Sequence, residues 1–189
     1  AAAIAGQPAS GAASNQRVTF IGDSIATSLQ YEPDALRILQ SGIDLDLQLA
    51  VCRRLVQESC PYKGTRPLTL VDLLPTIPLA PTVVVSVGYN DPASTFADSV
   101  EQALTALEKA GAQRVLWLTL TEERQSYKDM NEVLRAAVAK HPEVTVVDWQ
   151  MYSRSHPDWF QDDGLHLGYG GAVGMATLIH KKLVEAGVV

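Results

Sequence analysis

Three short polar clusters have the residue types that serine-based acyl chemistry requires. In chain order they are Gly22-Asp23-Ser24, Gly88-Tyr89-Asn90-Asp91 and Asp163-Gly164-Leu165-His166. A serine hydroxyl becomes a good nucleophile when an imidazole takes its proton, and a carboxylate must then fix the tautomer of that imidazole. Ser24, His166 and Asp163 supply these groups. Because Asp163 and His166 are three residues apart, a single turn can bring the carboxylate to Nδ1 of the ring.

The negative charge that develops on an acyl oxygen needs fixed hydrogen-bond donors. The Asn90 amide and the Ser24 backbone N–H, at the expected start of a helix, are the candidates. Each cluster also has an ordinary interpretation, because Ser24 suits a helix N-cap and Asn90 a turn. Asp163 likewise suits a tight turn, and His166 a hydrogen-bonded core residue. The presence of all three clusters in order, each after a strand, favours catalysis.

The elements that position these clusters are predicted from periodicity. β-Branched and alternating runs predict five strands, at 17–21, 43–51, 82–88, 114–120 and 144–149. Helical spacing predicts helices after Ser24 and at 68–77, 94–112, 127–141 and 171–187. Such alternation is typical of parallel βαβ units with helices on both faces. We therefore expect an α/β fold with a five-stranded parallel sheet in the flavodoxin-like order 2-1-3-4-5, which places Ser24 beside Asn90.

Length and charge limit the classes of function. A chain of 189 residues is long enough to bury one core without a metal or several disulfides. It has 15 Lys and Arg against 21 Asp and Glu, and the net charge of −6 is spread along the chain. This balance argues against a nucleic-acid partner and against a polybasic membrane contact. No apolar run approaches the roughly 18 residues that a membrane span needs.

Residues 1–16 are small and polar and include Gly, Pro and Ser. We interpret them as a flexible linker or stem ahead of a domain at 17–189. The stretch is expected to follow a trimmed export signal or to be the stem of a larger protein attached to an upstream membrane segment; an arbitrary cut is the alternative. We therefore expect an extracytoplasmic protein, either secreted, periplasmic or held in the cell envelope.

Cys52 and Cys60 are too few for a zinc site and lack the C-x-x-C redox spacing. A disulfide is expected in an oxidising compartment, with two ordinary buried thiols as the alternative. No cluster of His, Cys and Asp has the spacing of metal ligands. The stretch GYGGAVG at 168–174 fails the dinucleotide fingerprint because Val173 stands where the third glycine belongs. Neither a metal nor a cofactor is expected.

Taken together, the three clusters resemble the motifs of the SGNH hydrolase (GDSL-type esterase) family. The first family block is Gly-Asp-Ser, the third is Gly-x-Asn-Asp and the last is Asp-x-x-His, and the resemblance spans roughly residues 17–187. It implies a three-layer α/β/α fold. It also implies that Ser24 is the nucleophile, His166 the base and Asp163 its orienting carboxylate, with Asn90 in the oxyanion hole.

The chain departs from the second block of this family, which offers a glycine N–H to the oxyanion hole after strand two. Here the corresponding region is AVCRRLVQESC, without a glycine before Gly64. The backbone N–H of Arg53 or of Arg54 is the expected substitute, held in place by the disulfide. An arginine at this place would also bind an anionic or polyhydroxylated substrate, unless the two arginines are simply solvated.

Three further residues, Asp23, Tyr89 and Trp159, are candidates for substrate contact. Several aromatic residues flank the last cluster, namely Trp149, Trp159, Phe160 and Tyr169. Aromatic rings near such a site would stack on sugar rings, and the alternative is ordinary loop packing.

The sequence therefore predicts an exported serine esterase that removes a short acyl group, such as acetyl, from an oxygen ester. The expected substrate is a small-molecule or glycan ester, with the cell-envelope glycan favoured. An O-acyltransferase domain that modifies envelope polysaccharides is one alternative, and a non-catalytic glycan-binding module is another. Because no lid insertion is evident between the strands, water should reach the site and hydrolysis should dominate over transfer.

Overall fold

The computed structural model describes residues 16–189. The strands are β1 (Gln16–Gly22), β2 (Ile43–Leu49), β3 (Thr82–Ser86), β4 (Arg114–Leu118) and β5 (Val144–Val147). The α-helices are α1 (Pro33–Leu39), α2 (Leu70–Leu73), α3 (Phe96–Lys109), α4 (Gln125–Val138), α5 (Trp149–Ser153) and α6 (Tyr169–Glu185). Short 3-10 helices cover Ala26–Gln30, Leu74–Thr76, Ala93–Thr95 and Pro157–Trp159.

The five strands form one parallel sheet in the order β2-β1-β3-β4-β5. This confirms the predicted α/β class and the predicted strand order. Helices cover the sheet in two groups, with α1 packed against α6 and α3 packed against α4. Because β1 lies between β2 and β3, the segments that follow these three strands meet at one edge of the sheet.

Burial explains why these segments form these elements. Every residue of β3 is buried, as expected for a continuous β-branched strand with helices on both faces. The apolar face predicted for α3 is also buried, and it comprises Phe96, Val100, Ala103, Leu104 and Leu107. Gly111 follows this helix with φ +99°, a left-handed backbone that glycine adopts without a steric penalty.

The elements end earlier than their apolar runs. The predicted helix at 68–77 is a single α-helical turn, α2, followed by a 3-10 turn that contains Pro75 and its missing N–H. β5 stops at Val147 because the Asp148 carboxylate accepts the Met151 N–H at 3.0 Å and caps α5. The α-helix expected directly after Ser24 is instead the 3-10 helix Ala26–Gln30, and α1 begins at Pro33.

The linker predicted for residues 1–16 lies outside the described residues, apart from Gln16, which begins β1. Between residues 16 and 189, none of the helices has the length and apolar character that crossing a bilayer requires. Cys52 and Cys60 are joined in a disulfide, as the sequence predicted.

Candidate active site

Three side chains from two distant parts of the chain form one hydrogen-bonded series at the carboxyl edge of the sheet. His166 Nε2 lies 3.2 Å from Ser24 Oγ, and His166 Nδ1 lies 2.6 Å from Asp163 Oδ2. With the Nδ1 proton donated to the carboxylate, Nε2 keeps a lone pair that faces the serine hydroxyl. Two of the clusters singled out in the sequence therefore bring a serine hydroxyl, an imidazole and a carboxylate within hydrogen-bond reach of one another.

The loop that carries Asp163 is built around its carboxylate. Asp163 Oδ1 accepts hydrogen bonds from the backbone N–H groups of Leu165 and His166, each at 2.9 Å. These two bonds fix the orientation of the carboxylate, independently of its contact with the imidazole. The hydrogen bond with the His166 side chain, followed by that with the His166 backbone, lowers the pKa of Asp163 to about 2. This carboxyl group therefore stays ionised throughout the neutral range. About half of its side chain is exposed, so the site is open to water.

Gly22 and Asp23, the two residues before Ser24, each have a structural role in the turn that carries the serine. A Cβ atom on residue 22 would lie 2.7 Å from both Ala26 Cβ and Leu49 Cδ2, so glycine lets the turn close over the strands. Asp23 is fully buried. Its Oδ1 accepts the Ile25 N–H, and its Oδ2 accepts the N–H groups of the Gly88-Tyr89 pair at 3.2 and 3.3 Å. Asp23 thus ties the serine turn to the loop after β3.

Burial raises the pKa of Asp23 to about 7, against the opposing effect of its three backbone donors and of nearby His166. Asp91 forms a second brace, because its carboxylate accepts the Leu55 N–H at 3.1 and 3.3 Å. Burial likewise raises the pKa of Asp91 to about 7. The backbone N–H of Asp91 also closes a turn, because it donates to the Gly88 carbonyl at 2.9 Å.

In the segment after β2, the Arg53 and Arg54 N–H groups that were expected to be oxyanion donors are not free. The Arg53 N–H donates to the Ala50 carbonyl at 3.3 Å, and the Arg54 N–H donates to Ser59 Oγ at 3.2 Å. Both expected donors therefore already have acceptors. The Cys52 N–H has no acceptor among the described residues, and Cys52 has φ +71°, a left-handed backbone that usually requires glycine.

Arg53 also differs from the expectation that it would face a substrate. Its side chain is buried, and burial lowers the pKa of the guanidinium to about 10 while the charge of Asp23 opposes that effect. Within the described residues, its Nε and Nη1 have no hydrogen-bond partner. The Arg53 carbonyl accepts a hydrogen bond from Asn90 Nδ2 at 3.3 Å, which holds the Asn90 amide against the segment after β2.

The three residues proposed for substrate contact point into the protein or pack on it. Asp23 is fully buried, and the Tyr89 hydroxyl is buried beside Thr121 Oγ1 at 3.1 Å. The Trp159 ring is stacked on His156 with centroids 4.0 Å apart. It also lies so close to α6 that a Cβ atom on Gly174 would be 2.4 Å from the ring. Trp159 therefore packs against His156 and α6, which agrees with the alternative of ordinary loop packing.

Among residues 16–189 no group of three or more His, Cys, Asp or Glu side chains is arranged to hold a metal ion.

The chain has the SGNH (GDSL-type) esterase fold. It superimposes on a family 3 carbohydrate esterase from Talaromyces cellulolyticus with a TM-score of 0.60, covering 90% of this chain and 97% of that one at 18% identity. No family model matches the chain.

Two relatives are similar in sequence over about half of this chain. One is O-acetyltransferase OatA of Staphylococcus aureus (strain NCTC 8325 / PS 47), 30% identical over 101 residues, which are 53% of this chain and 16% of OatA. The other is YrhL of Bacillus subtilis (strain 168), provisionally named a peptidoglycan O-acetyltransferase, 33% identical over 98 residues, which are 51% of this chain and 14% of YrhL. The matched stretch spans less than a fifth of either relative.

Proposed function

We propose that this domain is a serine esterase that cleaves short-chain acyl esters, acetyl esters first among them, through an acyl-enzyme on Ser24. The observation that carries the proposal is the series Ser24 Oγ, His166 and Asp163, with contacts of 3.2 and 2.6 Å. Such a series, with a free imidazole lone pair on the hydroxyl, activates a serine for acyl transfer.

In the first half of the reaction, Ser24 Oγ attacks the acyl carbon and its proton passes to His166 Nε2. The carbonyl π bond opens to an oxyanion. When the oxyanion collapses, the bond from the acyl carbon to the alcohol oxygen breaks, and His166 returns the proton to the departing alkoxide. Asp163 stays ionised and stabilises the imidazolium that forms between these two transfers.

We assign the oxyanion donors to the Ser24 N–H, the Asn90 amide and the Cys52 N–H. The Cys52 N–H takes the place expected for Arg53 or Arg54, because both of those N–H groups already have acceptors. Its left-handed backbone supports this assignment, since a residue at φ +71° stands where the resembled family has glycine. The Cys52–Cys60 bond anchors this turn.

Water is the acceptor that we favour for the second half of the reaction. His166 and Asp163 have side chains that are 39% and 49% exposed, so water reaches the acyl-enzyme directly. His166 takes a proton from the attacking water as the water oxygen bonds to the acyl carbon. The bond from the acyl carbon to Ser24 Oγ then breaks, His166 returns the proton to Ser24 Oγ, and the free acid leaves. An extracytoplasmic location is part of this proposal and is supported by the disulfide.

Transfer to a sugar hydroxyl is the second candidate, and the names of the two sequence relatives favour it. Both are called O-acetyltransferases, and one name specifies peptidoglycan. In that case the hydroxyl of an envelope glycan replaces water, and the product is an acetylated sugar. Attachment to an upstream membrane segment would fit this candidate.

A single experiment tests the chemistry and separates the two acceptors. The protein is incubated with p-nitrophenyl acetate, with and without N-acetylglucosamine pentamer, while free acetate and acetylated sugar are measured separately. We expect acetate as the main product, and a serine-directed phosphonate should label Ser24 and abolish turnover. Acetylated sugar as the main product would replace the hydrolase by the transferase, whereas turnover by Ser24→Ala or labelling of another residue would overturn both.

A further inference from the structure

A cleft of about 390 Å³ lies beside the Ser24 turn, where β2 ends. Two of its lining residues are bonded directly to the segment that carries the serine. The Thr27 hydroxyl donates to the Ser24 carbonyl at 2.6 Å, and the Ala50 N–H donates to the Gly22 carbonyl at 3.1 Å. The cleft and the nucleophile are therefore held together by the same two backbone segments.

Aromatic rings and neutral polar groups line this cleft. Tyr31 is 76% exposed and Tyr62 is 43% exposed, so both rings are open to solvent. Thr27, Gln30 and Thr65 add hydroxyl and amide groups to the lining. Exposed tyrosine rings beside neutral hydrogen-bonding groups suit a sugar chain, because a ring packs on the C–H face of a sugar while polar groups bind its hydroxyls.

The charge of the lining also suits such a ligand. Among the described residues that line the cleft, Lys63 alone is charged, and no carboxylate is present. The protein as a whole carries a net charge of −6. The cleft thus lacks the acidic character of the rest of the molecule and disfavours a cationic ligand.

The wall that carries Tyr62 is held in place before any ligand binds. Tyr62 and Thr65 exchange two backbone hydrogen bonds, at 2.8 and 3.1 Å, which close a tight turn around Lys63. The disulfide from Cys60 to Cys52 fastens this turn to the end of β2. A ring that is already positioned loses little conformational entropy when it stacks on a ligand.

We propose that this cleft binds the glycan whose ester or hydroxyl reacts at Ser24, with sugar rings stacked on Tyr31 and Tyr62. The inference rests on the proposed function, since Ser24 chemistry determines what the bound glycan does. It places the sugar-stacking surface on Tyr31 and Tyr62 instead of on Trp159, whose ring packs on α6.

The test is the affinity for N-acetylglucosamine pentamer, measured by isothermal titration calorimetry on the folded protein. Tyr31→Ala and Tyr62→Ala should each weaken binding about three- to tenfold, the loss expected for one stacking contact. Tyr152→Ala is the matched control, because Tyr152 is a tyrosine with 38% exposure in α5 and does not line the cleft. It should bind the pentamer as the wild type does.

The outcomes separate this inference from the proposed function. Wild-type protein that is labelled at Ser24 by the phosphonate but fails to bind the pentamer at millimolar concentration overturns the cleft assignment alone. The same holds if both cleft variants bind like the wild type, or if Tyr152→Ala weakens binding as much as they do. Absence of Ser24 labelling in the wild type counts instead against the proposed function.

Discussion

Two histidines of this chain are hydrogen-bonded to carboxylates, and they differ in what the second ring nitrogen meets. His166 has Asp163 on Nδ1 and the Ser24 hydroxyl on Nε2. His141, which precedes β5 at the amino edge of the sheet, has Glu143 on Nδ1 at 3.1 Å and Glu101 on Nε2 at 2.9 Å. One imidazole thus joins an acid to a hydroxyl, and the other joins two acids.

This difference determines what each ring can do. Two flanking carboxylates stabilise the imidazolium, and the hydrogen bond to Glu101, the largest cause, raises the pKa of His141. The raised pKa favours the protonated ring, in which both nitrogens donate and no lone pair is left for a substrate proton. His166 keeps one acceptor nitrogen on a hydroxyl. A histidine–carboxylate contact is therefore not by itself evidence of catalysis. The group bound to the other ring nitrogen determines whether the imidazole can accept a proton from a nucleophile.

The largest expected effect comes from removing each imidazole in turn. His166→Ala should lower kcat/KM on p-nitrophenyl acetate by about 10³- to 10⁵-fold, because Ser24 loses its base. His141→Ala, the matched control at the other edge, should leave kcat/KM near the wild-type value. Thermal unfolding monitored by circular dichroism checks that both variants fold. Comparable losses in the two variants would break the distinction between the two histidines.

An intermediate effect is expected from Asp163→Asn. An amide N–H in place of the carboxylate favours the tautomer with the proton on Nε2, so kcat/KM should fall by about 10- to 10³-fold. Asp162→Asn is the control, since Asp162 is exposed and adjacent in the chain. Steady-state rates of the two variants at neutral pH show which carboxylate orients His166. If Asp162→Asn were the damaging change and Asp163→Asn mild, the orienting carboxylate would be misassigned.

The smallest effect concerns stability and its pH dependence at His141. Because the pKa of His141 is raised in the folded protein, its ion pairs stabilise the fold below the ordinary pKa of histidine, and this contribution is lost as the pH rises through the raised value. His141→Gln should lower the free energy of unfolding by up to about 1 kcal/mol at about pH 5.5 and by less at about pH 9.

Urea unfolding of wild type and His141→Gln at the two pH values measures this difference. The expected loss is small because Glu101, the principal partner, is 43% exposed and water screens the pair. A larger destabilisation at the alkaline value would mean that the neutral ring, and not the cation, is what the fold holds.

Local sequence patterns were sufficient to predict the sheet and the three clusters. Apolar runs and their alternation indicate which segments are strands covered by helices. Parallel connections leave few possible strand orders for five strands, so the order 2-1-3-4-5 was predictable. The clusters that carry Ser24, Asn90 and Asp163 follow strands one, three and five, and that placement alone brings them to one edge. The cysteine pairing was equally accessible, because the chain has two cysteines.

The tertiary structure decided what those residues and their neighbours contact. Asp23 and Tyr89 stand in the motifs like candidate ligand groups, yet both are buried. The N–H groups of Arg53 and Arg54 already meet acceptors whereas that of Cys52 does not within the described residues, and no local signal distinguished the three. The exposed tyrosines at 31 and 62 line one cleft although they are remote in sequence. The sign of φ at Cys52 determines where its N–H points, and the packing of distant segments determines which side chains are buried and which share a cleft. Neither property can be read from the residue types of a short stretch of sequence.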